Sequence, residues 1–135
     1  MSTLLNALGV SASGLSAQRT RLNATASNIA NVQTTRGADG GPYKRLDAVF
    51  RTVNGGEGVA GVRVDEVRED QEPPRLSYDP GHPDANGEGY VAMPNVNLVE
   101  EMVNMITAQR AYEANASAVD VTKKMARSAI GIAEG

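Results

Sequence analysis

The sequence predicts a mainly α fold: long N- and C-terminal helices paired as a coiled coil, with a small β-hairpin and loop segment inserted between them. Three observations predict it. Apolar residues recur every seven positions through the first segment, and a 4-3 apolar alternation runs through the last one. Between them lie all six Pro and most of the Gly, which punctuate helices. The chain therefore divides into 1–36, an N-terminal amphipathic helix; 37–94, a hairpin and Gly/Pro-rich loop; and 95–135, a C-terminal coiled-coil helix.

The first helix rests on Met1, Leu8, Leu15, Leu22 and Ile29, with Leu4 and Val32 on the same face. The intervening Ser11, Gln18 and Thr25 are polar, so the stripe is narrow and asks for one or two partner helices rather than a surrounding core. Gly9 and Gly14 each weaken an isolated helix by about 1 kcal/mol relative to Ala. The segment is expected to be marginal alone and helical when packed.

In the middle, Tyr43–Val53 and Val59–Val67 lean towards strand, joined by Asn54-Gly55-Gly56-Glu57-Gly58, a hairpin turn signal. From Tyr78 to Tyr90, Pro, Gly, Asp and Asn are too dense for a regular element. An ordered or half-ordered loop is expected there.

The last helix is the most strongly written. Leu98, Met102, Met105, Gln109, Tyr112, Ala116, Val119, Lys123, Ala126, Ile130 and Ala133 follow the heptad alternation, with Gln109 and Lys123 as polar interruptions that commonly set register. Val99, Val103 and Ile106 widen the apolar surface near its start, where more than one neighbour can pack. Asn97 with Glu100 three positions later reads as an N-cap, and Glu100 and Glu101 complement the positive end of the helix dipole. At ~1.5 Å per residue the helix would span roughly 55 Å, too long to be buried in a domain of this size.

Composition narrows the function. A formal net charge of −3 over 135 residues argues against nucleic-acid binding, which needs a basic face. Without Cys there are no disulfides or thiolate metal sites. No apolar run approaches the roughly 20 residues that cross a bilayer, so no direct membrane insertion is expected, and the N-terminus lacks the pattern of a secretory signal peptide. The acid-free, Arg-bearing start also has the look of a transit peptide, but four heptads exceed what targeting requires.

Catalytic chemistry finds little support. The only histidine, His82, lies among Asp79, Asp84 and Glu88, without a second nitrogen ligand for a metal. Asp84–Gly89 opens like a calcium loop, yet the twelfth position is Asn95 where a bidentate Glu is needed, and Pro94 interrupts it. No nucleophile has a plausible base, and no Gly-rich phosphate cradle exists. The expectation is a structural protein, not an enzyme, without cofactor or metal. A coiled-coil interaction adaptor of small, defined oligomeric state is the alternative.

Specific residues then become familiar. Ser11–Arg19 and the run ATASNIANVQTT at 24–35 resemble the N-terminal signature of bacterial flagellar axial proteins, and residues 94–125, from PNVNLVEEM to VTKKM, resemble their C-terminal one. The block YDPGHPDAN at 78–86, followed by Gly89-Tyr90-Val91, resembles the basal-body rod proteins of the proximal type. The family's Thr-Pro-Gly-Phe run is here Thr34-Thr35-Arg36-Gly37, a departure confined to the exit from the first helix.

The resemblance implies a subunit of the flagellar basal-body rod. Such a subunit would be exported by the flagellar type III apparatus without a cleavable signal. It would assemble in the periplasm with copies of itself, other rod proteins and the rotor (MS) ring and export-gate region. Its assembly interface would comprise Leu8, Leu15, Leu22 and Ile29 with Leu98, Met102, Met105, Gln109, Tyr112, Ala116 and Val119. A neighbour-contacting loop would present Tyr78, Asp79, Pro80, His82, Asp84 and Asn86.

Overall fold

The computed structural model describes residues 2–135; Met1, the first position of the heptad row, lies outside the described residues. Helix α1 spans Ser2–Ala30 and helix α2 Leu98–Glu134, with strands β1 (Leu46–Gly56), β2 (Val59–Glu69), β3 (Arg75–Tyr78) and β4 (Tyr90–Met93) between them. Asn97 caps α2 from extended backbone (φ −95°, ψ 112°), its side chain accepting from the Val99 and Glu100 amides at 3.1 and 3.2 Å.

The middle segment corrects the expected fold class. The chain is 49% helix and 22% strand, an α+β fold with two antiparallel sheets rather than a mainly α one with a small hairpin. The arms of β1 and β2 are 11 residues each, about twice the usual strand length. They turn through Glu57 and Gly58, both at positive φ (52° and 77°), as a tight primed hairpin turn requires. Register shifts between Val49 and Phe50 and between Asn54 and Gly56 mark bulges that add twist.

The second sheet, β3 with β4, pairs Arg75 with Met93 through to Tyr78 with Tyr90. Breakers from Asp79 to Gly89 hid it from pattern reading, because they form the loop that this pair closes. The Tyr78 and Tyr90 rings meet edge-on at 5.3 Å, a favourable aromatic geometry. Gly89 sits at φ 87°, where a Cβ would lie 2.8 Å from the Tyr78 ring. Backbone conformation and space both demand glycine there.

Helix α1 is the central layer, packed on α2 on one side and on the β1–β2 hairpin on the other. Ser13 ties the hairpin to it, its hydroxyl accepting from the Val62 amide at 3.1 Å and donating to the Val10 carbonyl at 2.6 Å. Gly14 lies against Asn115 and Asn28 against Glu101, so the helices run antiparallel. Extending that pairing puts Ser2 level with Arg127. The last turn or two of α2 therefore overhang the start of α1.

Candidate assembly interface

The buried line between the two helices is made of small and polar residues. On α1 it comprises Gly14, Ala17, Ala24, Thr25 and Asn28; on α2, Glu101, Ala108 and Thr122 are buried and Asn115 half-buried. Glu101, Ala108, Asn115 and Thr122 are themselves seven apart, a heptad that a count of large apolar residues passes over. Close approach explains the choice. A Cβ on Gly14 would stand 2.7 Å from Asn115 Oδ1, well inside van der Waals contact, so the Asn115 amide packs directly on the Gly14 backbone.

At one end of this seam a polar joint connects three elements. Asn28, 1% exposed, uses its full capacity: Oδ1 accepts from the Leu46 amide and the Tyr43 hydroxyl, both at 2.8 Å, while Nδ2 donates to the Leu46 carbonyl at 2.9 Å and Glu101 Oε2 at 3.0 Å. Because the Tyr43 proton goes to Asn28, the Ser27 hydroxyl donates to Tyr43 at 3.0 Å. Burial is the main reason the Tyr43 phenol titrates above its usual range.

Glu101 is also 1% exposed, and its Oε1 accepts from Arg45 Nε. The Arg45 guanidinium lies 3.6 Å from Asp70 and 3.8 Å from Asp47. Burial opposes the Arg45 charge, but the hydrogen bond and charge of Glu101, with Asp47 and Asp70, outweigh it and raise its pKa. Asn95 completes the joint by accepting from the Arg45 amide at 2.9 Å and donating to the Asp70 and Glu72 carbonyls at 3.2 and 3.0 Å.

Asn28, Tyr43 and Arg45 did not stand out in the sequence. Glu101 has a second role besides the dipole complement read for it. The available signal was a polar residue at seam spacing on each helix, Asn28 four after Ala24 and Glu101 seven before Ala108.

A second cluster holds the 79–89 loop. The Asp84 carboxylate accepts from the Thr35 hydroxyl at 2.7 Å and pairs with Arg36, so the departure at Thr35-Arg36 is where the loop is clasped. The Thr35 hydrogen bond is the largest influence on Asp84. Desolvation opposes it, the Arg36 bond and charge add to it, and the carboxyl is held below its usual range. His82 Nδ1 accepts from the Asp84 amide at 3.0 Å, and Asn86 Oδ1 takes the Glu88 and Tyr90 amides at 2.9 and 3.0 Å. Thus His82, Asp84 and Asn86 shape the loop from within, while Tyr78, Asp79 and Pro80 are exposed.

The apolar heptad rows lie beside the seam. Leu8, Leu15, Leu22, Ile29, Met105 and Val119 are half-buried; Gln109, Tyr112 and Ala116 are exposed. Leu98 and Met102, with Val99, Val103 and Ile106, form an outward row that is 43–70% exposed. Towards the other end Val121, Met125, Ile130 and Ile132 are 45–81% exposed. A free helix does not gain from displaying so much large apolar surface, and such display marks a binding face. Among the described residues no helix is long and apolar enough to cross a membrane.

Both terminal segments of the chain match known families. Residues 8–38 match the family described as flagella basal body rod protein, and residues 88–132 match the flagellar basal body rod FlgEFG protein C-terminal family. The chain is 44% identical to the flagellar basal-body rod protein FlgC of Borreliella burgdorferi, over 98% of this chain and 99% of that one. It is 48% identical to the FlgC of Aquifex aeolicus, over 93% of each. For the FlgC of Escherichia coli O6:H1 the identity is 47%, over 90% of this chain and 92% of the relative.

Proposed function

The chain belongs to the FlgC family of flagellar basal-body rod proteins and is a structural subunit of the rod, and we propose that it works in the proximal part of that shaft, transmitting torque through contacts made by its two terminal helices. One observation supports this reading above all. The intramolecular seam is satisfied by small and polar residues, leaving the large apolar side chains of α2 and the flanking Leu8, Leu15, Leu22 and Ile29 for contacts between subunits. Each large apolar side chain buried there contributes roughly 1.5–3 kcal/mol, repeated along every interface of a tube.

In this reading 1–36 and 95–135 form the assembling unit. Segment 37–94 stands outside it, with Tyr78, Asp79 and Pro80 presented to a neighbour. The subunit reaches the periplasm through the flagellar type III apparatus and joins copies of itself, other rod proteins and the rotor-ring region. A monomeric or dimeric adaptor would instead bury its apolar row in a closed, countable oligomer.

The test is Val103→Asp, which charges the outward row without touching the seam. Purified protein should keep its helicity and lie within about 0.5 kcal/mol of the parent in stability, as surface substitutions do, yet be missing from isolated basal bodies. Leu22→Asp probes the half-buried row of α1 in the same way. Normal rods and swimming in both variants would sink the interface assignment.

A further inference from the structure

An Asn-Gly pair occurs twice in the chain, at Asn54-Gly55 in β1 and at Asn86-Gly87 in the 79–89 loop. Such a pair carries its own chemistry. The backbone nitrogen that follows an Asn can attack the side-chain amide carbon, and glycine leaves that approach open because it has no Cβ and turns freely. The fold treats the two pairs differently.

Asn86 is held on both backbone and side chain. Its amide donates to the Tyr90 carbonyl at 2.8 Å, and its carbonyl accepts from the Gly89 amide at 3.0 Å. Its Oδ1 accepts from the Glu88 and Tyr90 amides at 2.9 and 3.0 Å. Bringing its side-chain carbon onto the Gly87 nitrogen breaks this set and opens the turn that closes the loop. Asn54, by contrast, is exposed, and among the described residues its side chain makes no hydrogen bond. Gly55 is the extra residue where the register passes from Asn54 opposite Ala60 to Gly56 opposite Val59, and a bulge leaves such a residue out of the ladder. Rotation at Asn54 therefore disrupts little pairing, as at the least protected ends of a fold.

We propose that Asn54 is a site of spontaneous covalent modification, deamidating through a cyclic imide to a mixture of aspartate and isoaspartate, while Asn86 is protected. Hydroxide takes the Gly55 N–H proton, and the nitrogen forms a bond to Asn54 Cγ. The bond from Cγ to Nδ2 breaks, and ammonia leaves with a proton returned from water. One water then opens the imide, at the side-chain carbonyl to give aspartate or at the backbone carbonyl to give isoaspartate. The sum is amide plus water to acid plus ammonia, with nothing oxidised or reduced. Either product adds a negative charge close to Glu57, and isoaspartate also adds a backbone atom to β1. Val53 and Gly55 line, with Leu5, Gly9 and Val59, the groove between the hairpin and the first turns of α1. The modification alters that groove and leaves the joint of Asn28, Arg45 and Glu101 as it is.

The full-length chain, incubated folded in mildly alkaline buffer made with heavy-oxygen water, is digested in ordinary water and its peptides are mapped by mass spectrometry. Only conversion during the incubation carries the heavy oxygen. The peptide holding Asn54 should gain labelled acid and then accept a methyl group from S-adenosylmethionine under an isoaspartyl carboxyl methyltransferase. The peptide holding Asn86 should convert about tenfold more slowly, the factor that one or two net hydrogen bonds contribute. In urea, with the hydrogen bonds of Asn86 gone, the two should convert at similar rates. A Cβ on Gly55 meets only Val59, at 3.7–3.9 Å, and Gly55 does not lie at positive φ. Gly55→Ala should therefore keep the parent circular dichroism yet lose most of the conversion at Asn54 over the same interval.

Equal rates at Asn54 and Asn86 in the folded chain overturn the proposal, as does an Asn54 that converts in urea but not when folded. Undiminished conversion in a folded Gly55→Ala chain overturns it in favour of direct hydrolysis of the side chain. None of these outcomes bears on the reading of the chain as a rod subunit.

Discussion

Arg45 and Glu101, 56 positions apart in sequence, form an ion pair at which α1, the base of the β1–β2 hairpin and α2 are fastened together. Asn28 holds the other carboxylate oxygen and both polar groups of Leu46. This fully hydrogen-bonded cluster fastens the base of the hairpin to the helix pair, and the Ser13–Val62 hydrogen bond fastens it further along α1.

The two partners of that pair are unequal. Arg45→Met leaves a carboxylate that is 1% exposed with only Asn28 as donor, and should cost about 3–5 kcal/mol. Glu101→Gln leaves Arg45 with Asp70 and Asp47 beside it, and should cost about 1–2 kcal/mol. Urea unfolding at neutral pH measures both. Equal costs would show that the pair does not hold the joint.

Gly14 offers a second test. On an exposed helix Gly→Ala stabilises by about 1 kcal/mol. Here the new methyl collides with the whole Asn115 amide, whose atoms lie 2.7–2.8 Å away and whose Nδ2 donates to the Ala111 carbonyl at 2.9 Å. Gly14→Ala should therefore destabilise by about 1–3 kcal/mol, and Asn115→Ala in the same chain should restore most of the loss. A double-mutant cycle with no coupling would place the helices further apart than described.

The loop clasp should respond to acid. Asp84 titrates below its ordinary range in the folded chain, so its contribution is complete above the unfolded pKa and is lost as pH falls through the lower, folded one. Amide resonances of Gly81 and Gly89, followed by NMR, should shift only below the usual carboxylate range. Thr35→Val should move that midpoint upward, and Asp84→Asn should abolish it. A midpoint unchanged by Thr35→Val would mean that the hydroxyl does not set the clasp.

Both helices and the first hairpin were legible because each announces itself locally, through periodicity, the Asn97 cap and the Asn54–Gly58 turn. The line along which the helices meet was not. Large apolar residues dominate a hydropathy pattern, whereas close helix contact selects Gly14, Ala17, Ala24 and Ala108, which contribute little to it. The β3–β4 pair escaped for a different reason: its two short strands are joined through eleven residues rich in breakers, and pairing across such a loop leaves no periodic trace. Nor could Asn28, Arg45 and Glu101 be linked, since their meeting depends on tertiary contacts 56 and 73 positions apart.

The separation of a small-residue seam from a large-residue outer row has an evolutionary consequence. On the proposed reading of the outer row as the contact surface, substitutions there would retune which neighbour a subunit prefers, and how tightly, while the chain goes on folding by the same internal contacts. Duplicated copies of one such gene could drift into a set of related parts, each keeping the inherited scaffold and each specialising in its own place along a common axis.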